Sequence, residues 1–248
     1  QTVRADLARA NAIDVSGLSH SARTSVEVVR SAYGTALEGF QLPYGDVPVG
    51  SWRNTPYVVI QNVGAYLDVP RFLDADHQIE SAADAEAYLA RLDSYPQQLD
   101  NELGRVIMAR YKGLIPPGFL IDKTLTQLRQ SLDSAGKGGS LVESIERRTR
   151  EKNIAGNWAE RARSIVQKDV APALERQIAE MELQRRLANE DPAISARPHG
   201  DEYYRWALKA STTTTMTPDQ IHQRGLDELR ELQGRMDPIL KSLGFTKG

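Results

Sequence analysis

Apolar residues recur at steps of three and four through most of the chain. Between Ser19 and Phe40 the positions Ala22, Val26, Val29, Tyr33, Ala36, Leu37 and Phe40 draw one face of an amphipathic helix, expected over 21–40. Pro43, Gly45, Pro48 and Gly50 then interrupt the pattern. Ser81, with Asp84 three residues on, resembles a capping box, and Ala85, Tyr88, Leu89 and Leu92 give the buried face of a helix over 82–92. A second helix is expected over 96–112, starting at Pro96 and burying Leu99, Leu103, Val106, Ile107 and Tyr111. Gly113 suits its end, and Pro116-Pro117 forbids continuation. Leu125, Leu128 and Leu132 mark a short helix, and "SAGKGGS" at 134–140 reads as a flexible loop before a Ser140/Glu143 capping signal. The longest pattern, 157–189, carries Trp158, Ala162, Ile165, Val166, Val170, Leu174, Ile178 and Met181. Pro172 inside it predicts a kink. Thr217-Pro218-Asp219-Gln220 opens the last helix, 218–241, with a threonine cap, a proline in the first turn and a glutamine closing the box. The one persuasive alternative to helix is "YVVIQNV", 57–63, short and β-branched, which predicts a strand or hairpin edge. The expected fold is therefore mainly α, a multi-helix domain with a minor β-strand or hairpin element.

Composition narrows the function classes. The 248 residues are 40% hydrophobic and 26% charged, ordinary for a globular protein with a sizeable core. A net charge of −2 gives no electrostatic case for nucleic acid or an anionic membrane, and 6% aromatic residues leave few stacking platforms for bases. There is no cysteine, which removes thiolate metal sites and cysteine nucleophiles. No apolar run approaches the roughly 20 residues of a membrane helix, so no membrane span is expected. The chain begins at Gln1 and ends in "KSLGFTKG" just after a helix, so it reads as part of something longer. An exported location, periplasmic or cell-envelope, is preferred over a cytoplasmic one.

No phosphate loop, dinucleotide glycine fingerprint or serine elbow is present. The four histidines, His20, His77, His199 and His222, are scattered, so no local pair makes a metal site. "DADH", 74–77, has the oxygen ligands of a hard-metal cluster in miniature but reads as a solvated loop beside a helix start, because calcium loops need more ligands and a glycine turn. His222 differs. On a helical wheel it shares a sector with Leu226, Leu229 and Leu240, so it points inward or into a cleft, either as a core histidine or as a group that positions substrate. Tyr203 and Tyr204 fall in neighbouring sectors, leaving one free to offer its hydroxyl to a cleft. Capping accounts for Thr217 but not for Thr212 to Thr215, which could display hydroxyls along an extended edge.

Three blocks in order resemble the bacterial family of domain of unknown function 885: "TPYVVIQNVGAYLDVPRFLDADHQIESAADAEAYLARL", "GLIPPGFLIDKTLTQL" with "VAPALERQI", and "PHGDEYYRWALKASTTTTMTPDQIHQRGLDEL". They span most of the chain from about residue 55. The family resembles helical zinc metallopeptidases of the gluzincin type. Its members are roughly twice as long and carry a His-Glu-x-x-x-Gly-His helix in their C-terminal half, which this sequence lacks. The resemblance implies the N-terminal, substrate-cleft half of a zinc-dependent hydrolase, with no catalytic or metal-binding residue in this chain and zinc expected in the full-length protein. It places Tyr203, Tyr204, Thr213, Thr214 and His222 along the cleft. The implied partners are the missing C-terminal half, a peptide-like substrate, and a second copy as a homodimer. A helical scaffold that keeps the fold without catalysis is the other reading.

Overall fold

The computed structural model describes residues 1–44, 55–137 and 139–245. Its elements are α1 (Thr2–Asn11), α2 (His20–Gly39), α3 (Ala65–Arg71), α4 (Ala82–Tyr111), α5 (Gly118–Gly136), α6 (Gly139–Glu151), α7 (Trp158–Ile165), α8 (Ala171–Leu187), α9 (Gly200–Thr212) and α10 (Pro218–Ser242). Contacts divide the chain into two compact units, Gln1–Leu42 with Asp201–Gly248, and Pro43–Gly200.

The larger unit is organised around α4. Its stripe Tyr88, Leu92, Tyr95, Leu99 and Val106 is buried. The break expected at Pro96 does not occur, and α4 is one helix of 30 residues. Proline in a helix interior costs about 3 kcal/mol. Each fully buried leucine or tyrosine on both sides returns roughly 1.5–3 kcal/mol, so continuity wins. Tyr111, expected on this buried face, is 74% exposed.

α8 runs parallel to α4, and its polar residues fix the register. Gln177 donates to the Leu99 carbonyl at 2.9 Å and Gln184 to the Val106 carbonyl at 3.3 Å. Both links sit at a residue separation of 78, which only a parallel pair can hold. Arg110 and Glu180 add a nearly buried ion pair at 2.7 Å. α5 returns antiparallel against α8, with Ile121, Leu125 and Leu128 buried.

The Pro172 kink takes a specific form. α7 and α8 join through a π turn at Val166–Val170, where the Ala171 N–H reaches back to the Val166 carbonyl. Pro172 has no N–H for the Lys168 carbonyl, and the widened turn falls where the ladder would fail anyway. A second π turn, Phe72–Asp76, follows Pro70 in α3. "DADH" lies here: its first three residues are exposed as expected, but they form part of a π turn and not a loop. His77 is buried, with a ring nitrogen 3.0 Å from the Asp84 carbonyl and an edge-on contact with Tyr88. Arg148 of α6 donates to the carbonyls of Leu73, Asp74 and His77, satisfying the open end of the turn.

There is no strand among the described residues. Ile60 and Val63 form a single antiparallel bridge, closed by two 3.0 Å bonds across a tight turn. Val58 and Val59 are buried in the helical core, so their branched side chains serve packing and have no sheet partner. The stretch 134–140, read as a loop, is largely helical: α5 runs to Gly136 and α6 starts at Gly139, with Ser140 inside the first turn.

In the smaller unit, α1 and α2 pair. Arg30 holds the end of α1 and the chain just after it, donating to the carbonyls of Ala10, Asn11 and Ile13. α9 docks on α2 through Trp206, whose indole N–H reaches the Thr35 carbonyl at 2.8 Å, and through Lys209 on Glu38 at 2.7 Å.

Candidate functional site

The third sequence block places Tyr203 and Tyr204 on α9. Tyr203 is buried and packs its ring 5.7 Å from Trp206, while Tyr204 is 45% exposed. The phenol available to a ligand is therefore that of Tyr204. Thr213 is exposed and Thr214 half-buried. The threonine run is a connector in which the backbone engages most hydroxyls. Thr212 donates back to the Leu208 carbonyl and accepts from the Thr214 N–H. Thr213 donates to the Thr212 carbonyl, and Thr214 accepts from the Met216 N–H. Thr217 then closes a complete capping box with Gln220.

Thr213 has φ +56°, the left-handed region, and its N–H bonds the Lys209 carbonyl to end α9. A β-branched residue is unfavourable there, by about 1–3 kcal/mol. Glycine would fill this helix-ending position without strain. Thr213→Gly is accordingly expected to stabilise the smaller unit by about 0.5–1 kcal/mol after its extra chain entropy is charged. Thermal unfolding checks this, and a loss of stability would show that the threonine hydroxyl outweighs the strain.

His222 lies in the second turn of α10 and is exposed in the described chain. Of the apolar residues in its sector, Leu226 and Leu229 are exposed too and Leu240 is half-buried. No described residue of α10 is buried, and Leu229 and Leu243 are 52% and 67% exposed. Leu226, Leu229, Leu232, Met236, Ile239 and Leu243, at steps of three and four, form an open apolar stripe.

A second group of polar residues, in the larger unit, was not singled out from sequence. The N-terminus of α3 follows Gly64, at φ +139°, and is capped by Glu102 of α4. Both carboxylate oxygens accept from the Ala65 N–H, at 3.0 and 2.9 Å. Glu102 is buried, and burial raises its pKa above the ordinary carboxylate value. Tyr66 and Tyr95 lie close enough to feel its charge. Burial first, and Glu102 second, push both phenols up. The signal was present in sequence: Glu102 sits on the α4 stripe between Leu99 and Val106, where an apolar residue is expected.

None of this makes a metal centre. Among the described residues no three histidine, aspartate or glutamate side chains converge. His20 and His199 are exposed, and His77 is committed to Asp84. The donor set needed for zinc is not met here, and no reaction step through zinc can be assigned to these residues.

The model of the family described as "Bacterial protein of unknown function (DUF885)" matches residues 1–248. The chain belongs to this family. Among solved structures, the DUF885 chain resembles that of "the putative lipoprotein from Colwellia psychrerythraea", with a TM-score of 0.83 and 21% identity. The match covers 100% of this chain and 43% of that one. At that identity the likeness shows the fold, and the chain spans less than half the length of the solved protein. No curated protein matches the chain.

Proposed function

We propose that this chain is the substrate-cleft half of a helical hydrolase acting on peptides, whose zinc and reacting groups belong to a second helical portion. The observation that carries this reading is the open apolar stripe of α10, together with a solved relative of the fold that is more than twice as long. A monomeric surface rarely leaves a stripe of this kind uncovered. The second portion seats on α10, and Tyr204, Thr213, Thr214 and His222 face the substrate beside it. In the whole enzyme a metal held by the second portion would supply activated water. This half binds and orients the substrate. The protein is exported to the cell envelope, in keeping with the description of the structural neighbour as a lipoprotein. Among the described residues, no helix is long and apolar enough to cross a membrane.

The test uses the longer polypeptide that contains this chain, assayed for bound metal and for cleavage of a peptide library. His222→Gln is expected to lower kcat by about 10- to 100-fold with metal content unchanged and stability altered by less than about 1 kcal/mol. Metal-free protein with no cleavage would support the scaffold reading instead. Unchanged turnover in His222→Gln would remove the histidine from the cleft.

A further inference from the structure

The larger unit contains a cavity of about 380 Å³ between α3, α5, the start of α6 and the π turn. That volume lies in the roughly 300–1,000 Å³ range of small-molecule sites. Its floor is apolar. Val166 and Val170, the first and last residues of the π turn, both line it, with Leu174 beside them. The π turn thus shapes the floor, and such turns often mark binding sites. Its mouth is polar but uncharged. Gln130 and Ser140 are exposed there, and Ser131 and Ser134 are half-buried. No charged side chain lines the cavity among the described residues.

Two local details keep its polar groups available. Gly139 has φ +30°, and a Cβ there would come within 2.3 Å of the Ser134 hydroxyl, so the absence of a side chain leaves that hydroxyl uncovered. Tyr66 lies 2.9 Å from the Ile60 carbonyl and 2.8 Å from the Gln127 amide, but its hydroxyl has one proton. The Gln127 side-chain oxygen is the atom that faces the phenol and accepts from it. The Gln127 amide nitrogen is then left to donate to a ligand.

We propose that this cavity binds a neutral amphipathic small molecule, its compact apolar end against Val166 and Val170 and an amide or hydroxyl head among Ser131, Ser134 and Gln127. The described lining offers hydrogen bonds but no counter-ion, so a charged analogue of the same shape loses its hydration without recompense. The site lies wholly within Pro43–Gly200 and is independent of the hydrolase reading.

Saturation-transfer NMR on the 248-residue chain tests this with 4-phenylbutanamide, 4-phenylbutanoate and 4-phenylbutylamine. The amide is expected to bind with a Kd on the order of 0.1–1 mM, as its few heavy atoms allow, and each charged analogue at least about 10-fold more weakly. Ser131→Trp fills the mouth and abolishes binding with the helical circular dichroism unchanged. If it does not fold, Gln130→Trp at the exposed rim carries the same expectation. The α10 stripe is the rival apolar surface, so Leu229→Lys with Met236→Lys leaves the amide signal intact. The proposal is overturned by no binding of the amide at millimolar concentration, by equal binding of the charged analogues, by binding that survives the tryptophan variants, or by its loss in the α10 variant.

Discussion

Replacing Glu102 by leucine is expected to destabilise the larger unit by about 2–3 kcal/mol, and replacing it by glutamine to change how stability depends on pH. The leucine removes the acceptor of the Ala65 N–H and leaves that group buried at the start of α3. An orphaned buried donor costs roughly 1–3 kcal/mol, and loss of a carboxylate acceptor puts the effect at the upper end. Glutamine keeps an acceptor oxygen but cannot ionise. The wild-type carboxyl has a folded-state pKa above its ordinary 4.5, with burial as the main cause and the Ala65 bond opposing it. Between the two values the folded state holds more protons than the unfolded one. The stability from Glu102 is therefore complete below pH 4.5 and is lost as pH rises through the folded value. Against wild type, Glu102→Gln should gain stability between pH 4 and pH 8, because the amide has no titration through which to lose it. Urea unfolding at both pH values, with amide exchange at Ala65 as a local probe, measures the difference. Parallel stability curves for wild type and Glu102→Gln would mean that the buried carboxyl titrates normally.

The residues legible in sequence were those whose role is local. Ser81 and Thr217 cap their helices because each side chain meets an N–H three residues away, a distance set by the helix itself. The stripe Ala85–Tyr88–Leu89–Leu92 was legible for the same reason. Glu102 and Gln177 were not, because their partners depend on which helices meet. A glutamate within an apolar stripe announces itself only once α3 is known to begin beside it. The strand reading of 57–63 failed because β-branched residues report burial on a well-packed surface, and here helices supply that surface. Pro96 misled because proline's cost is local while the burial that overrides it is tertiary. The wheel sets His222 among apolar neighbours, but a helical wheel gives a direction and not what lies there, and the described chain leaves the residue exposed. On α10, the described chain supplies nothing that covers the stripe.

That open stripe gives the second large effect, one whose sign depends on context. In the 248-residue chain, Leu229→Lys with Met236→Lys should change stability by no more than about 0.5 kcal/mol, because both side chains are already about half in water. The same pair should abolish self-association. The unsubstituted stripe is expected to drive concentration-dependent dimers in sedimentation experiments, and lysines every second turn break its continuity. In a longer polypeptide whose second portion seats on α10, the substitutions behave oppositely. Each removes a buried side chain worth roughly 1.5–3 kcal/mol and places a charge in an apolar contact, so the pair should cost several kcal/mol and loosen the two portions from each other. Measuring the double variant in both contexts separates the alternatives. A neutral result in the short chain with a large loss in the longer one identifies α10 as an internal seam of the enzyme. A neutral result in both, with loss of association in both, would instead make α10 a dimer surface, and the cleft reading of His222 would then lose the second portion that it depends on.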